Sequence, residues 1–261
     1  MNLKTIKQII LNAKIRLLTM HYESKVGHIG GNLSCIDSII IIFNKYLSID
    51  DRFILSKGHS AGAVYISLWS IGILSDKDLL TFHKDNTLLP GHPPPNKIKN
   101  IFFATGSLGH GLSLATGISL SKKIKGKNGR ILCLTSDGEW QEGSTWEALF
   151  FACHHKLNNL TILVDQNKLQ GFGYVKDISP LSNLADKLKH LDLEVEVING
   201  HCPKAIIASL NKKNKKCKVI ILETKKGNGI SFMEDKMEWH YLPLNKNMYD
   251  QAIYELKKNE R

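Results

Sequence analysis

Apolar residues at helical spacing open the chain and predict an amphipathic helix over residues 3–20. They recur three and four positions apart, at Leu3, Ile6, Ile9, Ile10, Ala13, Leu17 and Met20, which is the period of one helix face. The pattern then predicts a second helix over 33–46, a short strand over 52–55, and a helix after the turn at 56–59.

From residue 105 onwards, helix-like and strand-like segments alternate. After a glycine-rich turn, helices are predicted to end at 123 and to span 144–155, 182–190 and 203–211, and strands to span 130–135, 160–164, 193–197 and 217–223. Such alternation favours parallel strand pairing. We therefore predict an α/β fold with a doubly wound, mostly parallel sheet and helices on both faces. The length of 261 residues suits one large α/β domain, so residues 1–261 are expected to form a single domain.

Composition narrows the class of protein. The apolar fraction of 43% and charged fraction of 23% are typical of globular proteins. Five cysteines without any C-x-x-C spacing fit neither a disulfide scaffold nor a zinc site, which predicts a reducing, cytoplasmic location. The most apolar run, residues 36–43, contains Asp37 and is too short to span a bilayer, so no membrane association is predicted.

The net charge of +11 raises the possibility of a nucleic-acid-binding module. The densest basic cluster lies within residues 212–218, but it contains lysines alone, without arginine or interleaved aromatic residues. Proteins that read or stack on nucleic acid usually combine such residues with the charge. We predict no nucleic-acid partner, and a preference for phosphorylated, anionic small molecules would also fit the charge.

Polar residues follow two of the predicted strands. Asp137 lies in the run 136–139, which comes directly after the strand at 130–135, and Asn167 follows the strand at 160–164. Parallel strands end at one edge of a sheet, and carboxylate and amide oxygens there suit Mg²⁺ beside a ligand's phosphates. The alternative is that Asp137-Gly138 forms an ordinary turn and Asn167-Lys168 an ordinary loop.

Seven short motifs together resemble the thiamine diphosphate-binding domain of transketolase. They occur in that family's order and cover nearly the whole chain, at residues 27–30, 55–59, 91–93, 105–113, 136–143, 164–171 and 240–243. Ser136 replaces the usual glycine, His110 stands where glutamine is frequent, and Tyr241 where glycine is usual. Two of these departures, His110 and Tyr241, bear on substrate choice more than on cofactor binding.

The resemblance implies a cofactor site. It makes Asp137, Asn167 and the carbonyl of Leu169 the ligands of Mg²⁺, for which Ca²⁺ or Mn²⁺ could substitute, and it implies thiamine diphosphate as the cofactor. It also implies contacts to the cofactor from His59, Gly106, Ser107, Leu108, Gly138 and His240. Glycine-rich backbone at the start of a helix suits anions because unpaired N–H groups point outward. A capped helix start is the alternative interpretation of residues 105–111.

The resemblance also implies catalytic residues. His28, His92 and His240 correspond to histidines that line the substrate channel and relay protons, a role for which imidazole is suited. Glu142 resembles a buried acidic residue that supports communication between sites at a dimer interface. The alternative for Glu142 is a glutamate favoured by a helix N-terminus.

The implied activity is the transfer of a two-carbon ketol unit between sugar phosphates. The chain ends just after residues 240–243, so we expect a separate C-terminal transketolase subunit to supply the pyrimidine-binding domain, in an α2β2 heterotetramer. The competing hypotheses are an enzyme similar to deoxyxylulose-phosphate synthase and a catalytically idle regulatory or scaffold subunit.

Overall fold

A single parallel sheet organises the computed structural model, which describes residues 1–95, 97–179 and 183–258. Its strands are β1 (Arg52–Leu55), β2 (Ile131–Ser136), β3 (Leu160–Gln166), β4 (Glu194–Asn199) and β5 (Lys218–Glu223). They lie in the order β1-β2-β3-β5-β4, and every neighbouring pair is parallel. Each strand falls within two residues of a predicted strand at both ends.

Helices precede, connect and follow the strands in the described chain. They are α1 (Leu3–Ser24), α2 (Ile29–Ile41), α3 (Ala61–Ser70), α4 (Asp76–Leu79), α5 (His110–Ile124), α6 (Gly143–His154), α7 (Val175–Ile178), α8 (Leu184–Leu188), α9 (Pro203–Asn211) and α10 (Lys246–Lys258). A π-helical turn, Ile42–Tyr46, follows α2, and 3-10 turns occur at Gly58–Ser60, Gly138–Gln141 and Met237–His240.

Three helical predictions needed correction, and two short helices were missed. The helix predicted over 3–20 continues to Ser24. The helix predicted over 33–46 begins earlier, at Ile29, directly after the turn at His28. The helix predicted over 182–190 is limited to Leu184–Leu188 within the described residues, and residue 182 lies outside them. The four-residue helices α4 and α7 were not predicted because they are too short to show a helical period.

Helices cover both faces of the sheet. On one face, Leu132, Leu163 and Leu222 of the sheet pack into a core with residues of α1, α2, α3, α9 and α10. On the other face, Cys133, Ile162 and Val219 pack into a second core with residues of α5, α6 and α8. Successive strand residues point to opposite faces, which explains why the central strands β2, β3 and β5 are apolar almost throughout. The predicted doubly wound α/β fold is confirmed.

The strand order brings the ends of β2, β3 and β5 together. Ser136 pairs with Asp165, and Gln166 pairs with Glu223, so the loops that follow these strands are neighbours. The chain passes from β3 to the edge strand β4 and then returns, which places β5 beside β3. Ligands of open α/β sheets bind at this carboxyl edge.

The described part of the chain contains no helix that is both long and apolar enough to cross a membrane.

Candidate active site

A cavity with a volume of about 280 Å³ opens at the carboxyl edge of the sheet. Most of the predicted site residues border it, although they come from segments far apart in the chain. The predicted residues that border the cavity are His28, His59, His92, Gly106, Leu108, Asp137, Gly138, Asn167, Leu169 and His240.

The carboxylate of Asp137 joins the ends of β2 and β3. Its Oδ1 accepts the backbone N–H of Gly138 at 2.9 Å, and its Oδ2 accepts that of Lys168 at 2.6 Å. Asn167, the residue before Lys168, has its Oδ1 3.1 Å from the backbone N–H of Leu169. The predicted meeting of Asp137 and Asn167 therefore occurs, and it brings two oxygen donors to one wall of the cavity.

A fully buried aspartate orients Asn167 from behind. Asp165 accepts hydrogen bonds from the hydroxyls of Ser34 and Thr224 and from the ammonium of Lys57, each at 2.5 Å. The Asn167 amide nitrogen donates to Ser34 Oγ at 3.2 Å and lies 3.4 Å from Asp165. Because the amide nitrogen is hydrogen-bonded within this network, the amide oxygen is the atom of this side chain that could bind a cation in the cavity.

Asp165 also keeps Lys57 charged. Burial alone would lower the pKa of Lys57, but the adjacent Asp165 carboxylate raises it above its usual value. Neither Asp165 nor Lys57 was singled out from the sequence. A charged residue inside the apolar run of β3 was the available signal, since unpaired charges are almost never fully buried.

The surroundings of Asp137 favour a cation. Burial and the nearby Asp165 carboxylate raise the pKa of Asp137 to about 7, because the carboxylate has too little positive charge beside it. A divalent cation would supply that charge, and carboxylate, amide and carbonyl oxygens are the donors that Mg²⁺ prefers. Among the described residues no group of three His, Cys, Asp or Glu could hold a metal. A cation here would therefore need these mixed oxygen donors together with oxygens from a ligand.

Four histidines face the same cavity. The ring of His28 lies 5.8 Å from that of His59, 6.3 Å from that of His92 and 5.0 Å from that of His240, measured between centroids. Burial, followed by the positive charge of Lys226, lowers the pKa of His240 to about 3. Burial likewise lowers the pKa of His28 to about 4 and that of His59 well below its usual value. These imidazoles are therefore neutral near pH 7 and able to accept protons.

Lys226 is a second cation of the cavity that the sequence did not reveal. Its ammonium lies 3.1 Å from Nδ1 of His240 and 3.4 Å from the carbonyl oxygens of Leu169 and Gln170. Burial and the like charge of Lys57 lower the pKa of Lys226 to about 8. An anionic ligand would therefore meet a lysine that is protonated at neutral pH.

The backbone explains how His28 reaches the cavity. His28 adopts a left-handed conformation with φ of 64°, which is uncommon for a residue other than glycine, directly before α2. Its backbone N–H donates to the carbonyl of His240 at 3.0 Å. The turn at residue 28 is thus tied to the segment that carries His240, although 212 positions separate them in the sequence.

The glycine-rich loop before α5 packs tightly against two histidine-bearing segments. A Cβ on Gly58 would lie 2.6 Å from the carbonyl oxygen of Thr105, and one on Gly106 would lie 3.2 Å from the ring of His92. Leu108 is half-buried and borders the cavity. Ser107 is exposed and is not among the residues that border it.

The predicted burial of Glu142 is not found in this single chain. Glu142 is exposed at the start of α6, and it does not border the cavity. The buried glutamate is Glu139, which accepts hydrogen bonds from Ser56 Oγ at 2.5 Å, Ser136 N–H at 2.8 Å and Gly109 N–H at 2.9 Å. The reason is the 3-10 turn Gly138–Gln141, which faces Glu139 inward and leaves Glu142 at the surface.

Comparison with known proteins assigns this arrangement to a family. Residues 6–259 match the family model described as transketolase, thiamine diphosphate binding domain. The chain belongs to this family. The family and the transketolase enzyme class that the motifs predicted are thereby confirmed.

Similar proteins include several that are named as transketolase subunits. An apulose-4-phosphate transketolase subunit from Actinobacillus succinogenes is 37% identical over 242 residues, which cover 88% of each chain. A 6-deoxy-6-sulfo-D-fructose transketolase subunit from a Clostridium species is 35% identical over 258 residues, which cover 94% of each chain. The crystal structure of Campylobacter jejuni transketolase matches with a TM-score of 0.91 at 26% identity. That match covers 98% of this chain and 43% of the other, so this chain spans less than half of that transketolase.

The cavity of this transketolase-family chain has groups that fit thiamine diphosphate and Mg²⁺. Asp137 and Asn167 offer oxygen to a metal, and the buried ammonium of Lys226 offers positive charge to a diphosphate. The carbonyl of Leu169 faces Lys226 at 3.4 Å, so this ammonium would have to shift if that oxygen bound a metal.

Proposed function

We propose that this chain is the thiamine diphosphate- and Mg²⁺-binding subunit of a split transketolase. It would transfer a two-carbon ketol unit from a ketose phosphate to an aldose or aldose phosphate, with residues 1–261 acting as one domain. The observation that carries the proposal is the bond from Lys168 N–H to the Asp137 carboxylate. It places Asp137 beside Asn167 in the cavity that the four histidines border.

Each wall of the cavity has its own proposed role. Asp137, Asn167 and the Leu169 carbonyl would hold Mg²⁺, and Gly138 and the 106–108 loop would approach the diphosphate, with His59 and His240 nearby. When bound, thiamine diphosphate supplies an electron sink for breaking the carbon–carbon bond next to a carbonyl. Asp165 would keep Asn167 oriented for the metal through the bonds that it shares with Ser34.

The histidines would handle the proton of the donor sugar. Cleavage requires removal of the proton from the donor's C3 hydroxyl, and neutral His28 and His240 are the candidates to accept it. His92, whose ring lies 6.3 Å from that of His28, would contact substrate hydroxyls. The ammonium of Lys226, 3.1 Å from His240, disfavours a second positive charge on that ring and so favours prompt release of the proton.

The partner is proposed to be a separate pyrimidine-binding subunit, in an α2β2 heterotetramer. The relatives from Actinobacillus and Clostridium are both named as subunits. At the rim of the cavity, Phe172 is 84% exposed and Tyr241 is 56% exposed. Large exposed aromatic side chains are common in protein–protein interfaces. Exposed Glu142 would lie at the subunit interface, and the complex would act in the cytoplasm.

Reconstitution tests the proposal. The chain mixed with its pyrimidine-binding subunit should convert xylulose 5-phosphate and ribose 5-phosphate only when Mg²⁺ and thiamine diphosphate are both present. The chain alone should be inactive. Absence of turnover with any ketose donor would favour a regulatory subunit, and condensation of pyruvate with glyceraldehyde 3-phosphate would favour the synthase alternative.

A further inference from the structure

The side chain of Tyr241 borders the cavity and is anchored to the loop that contains Gly171. Its hydroxyl donates to the carbonyl of Gly171 at 3.1 Å, and its ring lies edge-on to His240 with 4.8 Å between centroids. The side chain borders the cavity although the residue is 56% exposed. Tyr241 therefore stands between the interior of the cavity and the outside.

Two glycines allow this close fit. A Cβ on Gly171 would lie 2.4 Å from the Tyr241 hydroxyl oxygen, and a Cβ on Gly27 would lie 2.4 Å from the Tyr241 carbonyl oxygen. The backbone and the hydroxyl of Tyr241 are thus each packed against a loop that carries no side chain at the contact. The ring is held in place from both ends, which distinguishes it from a freely rotating surface tyrosine.

The part of the cavity edge formed by Tyr241 and Phe172 is aromatic and uncharged. Both residues are exposed, whereas the cationic side chains of Lys57 and Lys226 are almost completely buried. Because Tyr241 adjoins His240, which is proposed to meet the donor's C3 hydroxyl, carbons beyond C3 would pass beside the tyrosine ring. The length and width of that part of the donor would therefore decide whether it fits.

We propose that Tyr241 is a specificity-determining residue that narrows the cavity mouth and favours ketose phosphates with a short chain beyond C3. This inference rests on the proposed transketolase function and names the donor class for it.

The test compares two donors with the same terminal phosphate but different length. For the chain reconstituted with its pyrimidine-binding subunit, kcat/KM is measured with sedoheptulose 7-phosphate and with xylulose 5-phosphate, at a fixed concentration of erythrose 4-phosphate as acceptor. Tyr241→Ala should raise the ratio of the first value to the second about tenfold, since a change of this size in a substrate pocket typically has such an effect. Tyr241→Phe keeps the ring without its anchor and should give a ratio between those of the wild type and Tyr241→Ala.

Tyr254→Ala is the matched control, because Tyr254 is 64% exposed on α10 and does not border the cavity. The ratio of the two kcat/KM values for Tyr254→Ala should equal that of the wild type.

Thermal melting checks that the Tyr241→Ala variant folds, and Tyr241→Leu is used instead if that variant does not fold. A ratio within twofold of the wild type overturns the role of Tyr241 and leaves the proposed function intact. A wild-type complex inactive with both donors overturns both.

Discussion

Asp137 is the central side chain of the proposed metal site. It is buried, its two oxygens accept separate backbone N–H groups, and its pKa is raised to about 7 by burial and by Asp165. A carboxylate in these surroundings gains most from a cation that binds beside it. The same surroundings make the uncharged form acceptable to the unliganded fold.

Replacing Asp137 with asparagine should therefore separate binding from folding. We expect Asp137→Asn to weaken Mg²⁺-dependent binding of thiamine diphosphate by about 100-fold, as befits loss of a charged ligand. The unliganded variant should still fold but melt somewhat below the wild type, because the asparagine NH2 cannot accept one of the two backbone N–H groups that the carboxylate accepts. Isothermal titration calorimetry and thermal denaturation measure the two effects, with exposed Asp177→Asn as the control. Wild-type affinity in Asp137→Asn would refute the metal assignment.

Lys226 should make cofactor binding dependent on pH. Its pKa is lowered to about 8, so the free chain carries this charge below pH 8 and loses it above. Affinity for thiamine diphosphate should change little between pH 7 and 8 and fall by up to about tenfold per pH unit above pH 8, whereas below pH 7 protonation of Asp137 should weaken Mg²⁺-dependent binding. The stability of the unliganded chain should change in the opposite direction, rising from pH 8 towards the unfolded-state pKa of 10.5.

The Lys226→Met variant should bind thiamine diphosphate more weakly and without this pH dependence. Titration calorimetry between about pH 7 and about pH 9.5, a range that brackets the shifted pKa, measures both effects. Lys225→Met is the matched control, because Lys225 is exposed and pairs with Glu234 at 3.1 Å outside the cavity. A wild-type pH profile in Lys226→Met would exclude Lys226 as its cause.

At the scale of elements, the site depends on how closely the loops at the carboxyl edge pack. The 3-10 turn Gly58–Ser60 lies directly against the loop before α5, and the segment that ends at His240 is hydrogen-bonded to the turn before α2. These contacts hold four loops from different parts of the chain around one cavity. Small backbone shifts at such contacts should therefore affect both stability and binding.

Gly58→Ala tests this packing. The new methyl group would lie 2.6 Å from the Thr105 carbonyl oxygen and 2.8 Å from the Gly106 nitrogen, and neither is a flexible side chain. We expect the free energy of unfolding to fall by about 2 kcal/mol and cofactor affinity to fall with it.

Gly117→Ala is the contrasting control, because nothing lies within 4 Å of its Cβ position in α5. It should stabilise the helix by up to about 1 kcal/mol. Urea denaturation compares the two, and equal stabilities would contradict the prediction.

At the scale of the whole molecule, the cavity is bordered by exposed aromatic residues. Phe172 is the most exposed of them at 84%. If the pyrimidine-binding subunit covers this rim, Phe172→Ser should weaken the complex about tenfold, the loss typical of a contributing aromatic contact. Ile124→Ser is the control, since Ile124 is 75% exposed at the C-terminal end of α5, whereas the cavity-bordering loop precedes its N-terminal end. Sedimentation or light scattering of the mixed subunits measures both, and equal effects would exclude Phe172 from the interface.

The sequence by itself determined the class of fold and most of the site. Apolar runs mark β1, β2, β3 and β5, because burial on both faces requires an almost continuous apolar segment, and an alternation of glutamate and valine marks the edge strand β4. Glycine and proline turns mark the loops that carry His28, His59 and His92, because few other residues tolerate those turns. Asp137 and Asn167 were identifiable because each lies within three residues of the end of an apolar strand segment.

Only the tertiary structure decided which charged residues face inward. The return of β5 to the side of β3 brings Thr224 to Asp165, and a 3-10 turn buries Glu139 in place of Glu142. Lys226 contacts His240, and Tyr241 donates a hydrogen bond to Gly171, only when separate loops pack together. The residues of the contacts to Asp165, His240 and Gly171 are 14 to 70 positions apart, so no local pattern encodes them. The energies of these contacts depend on the burial that the fold creates.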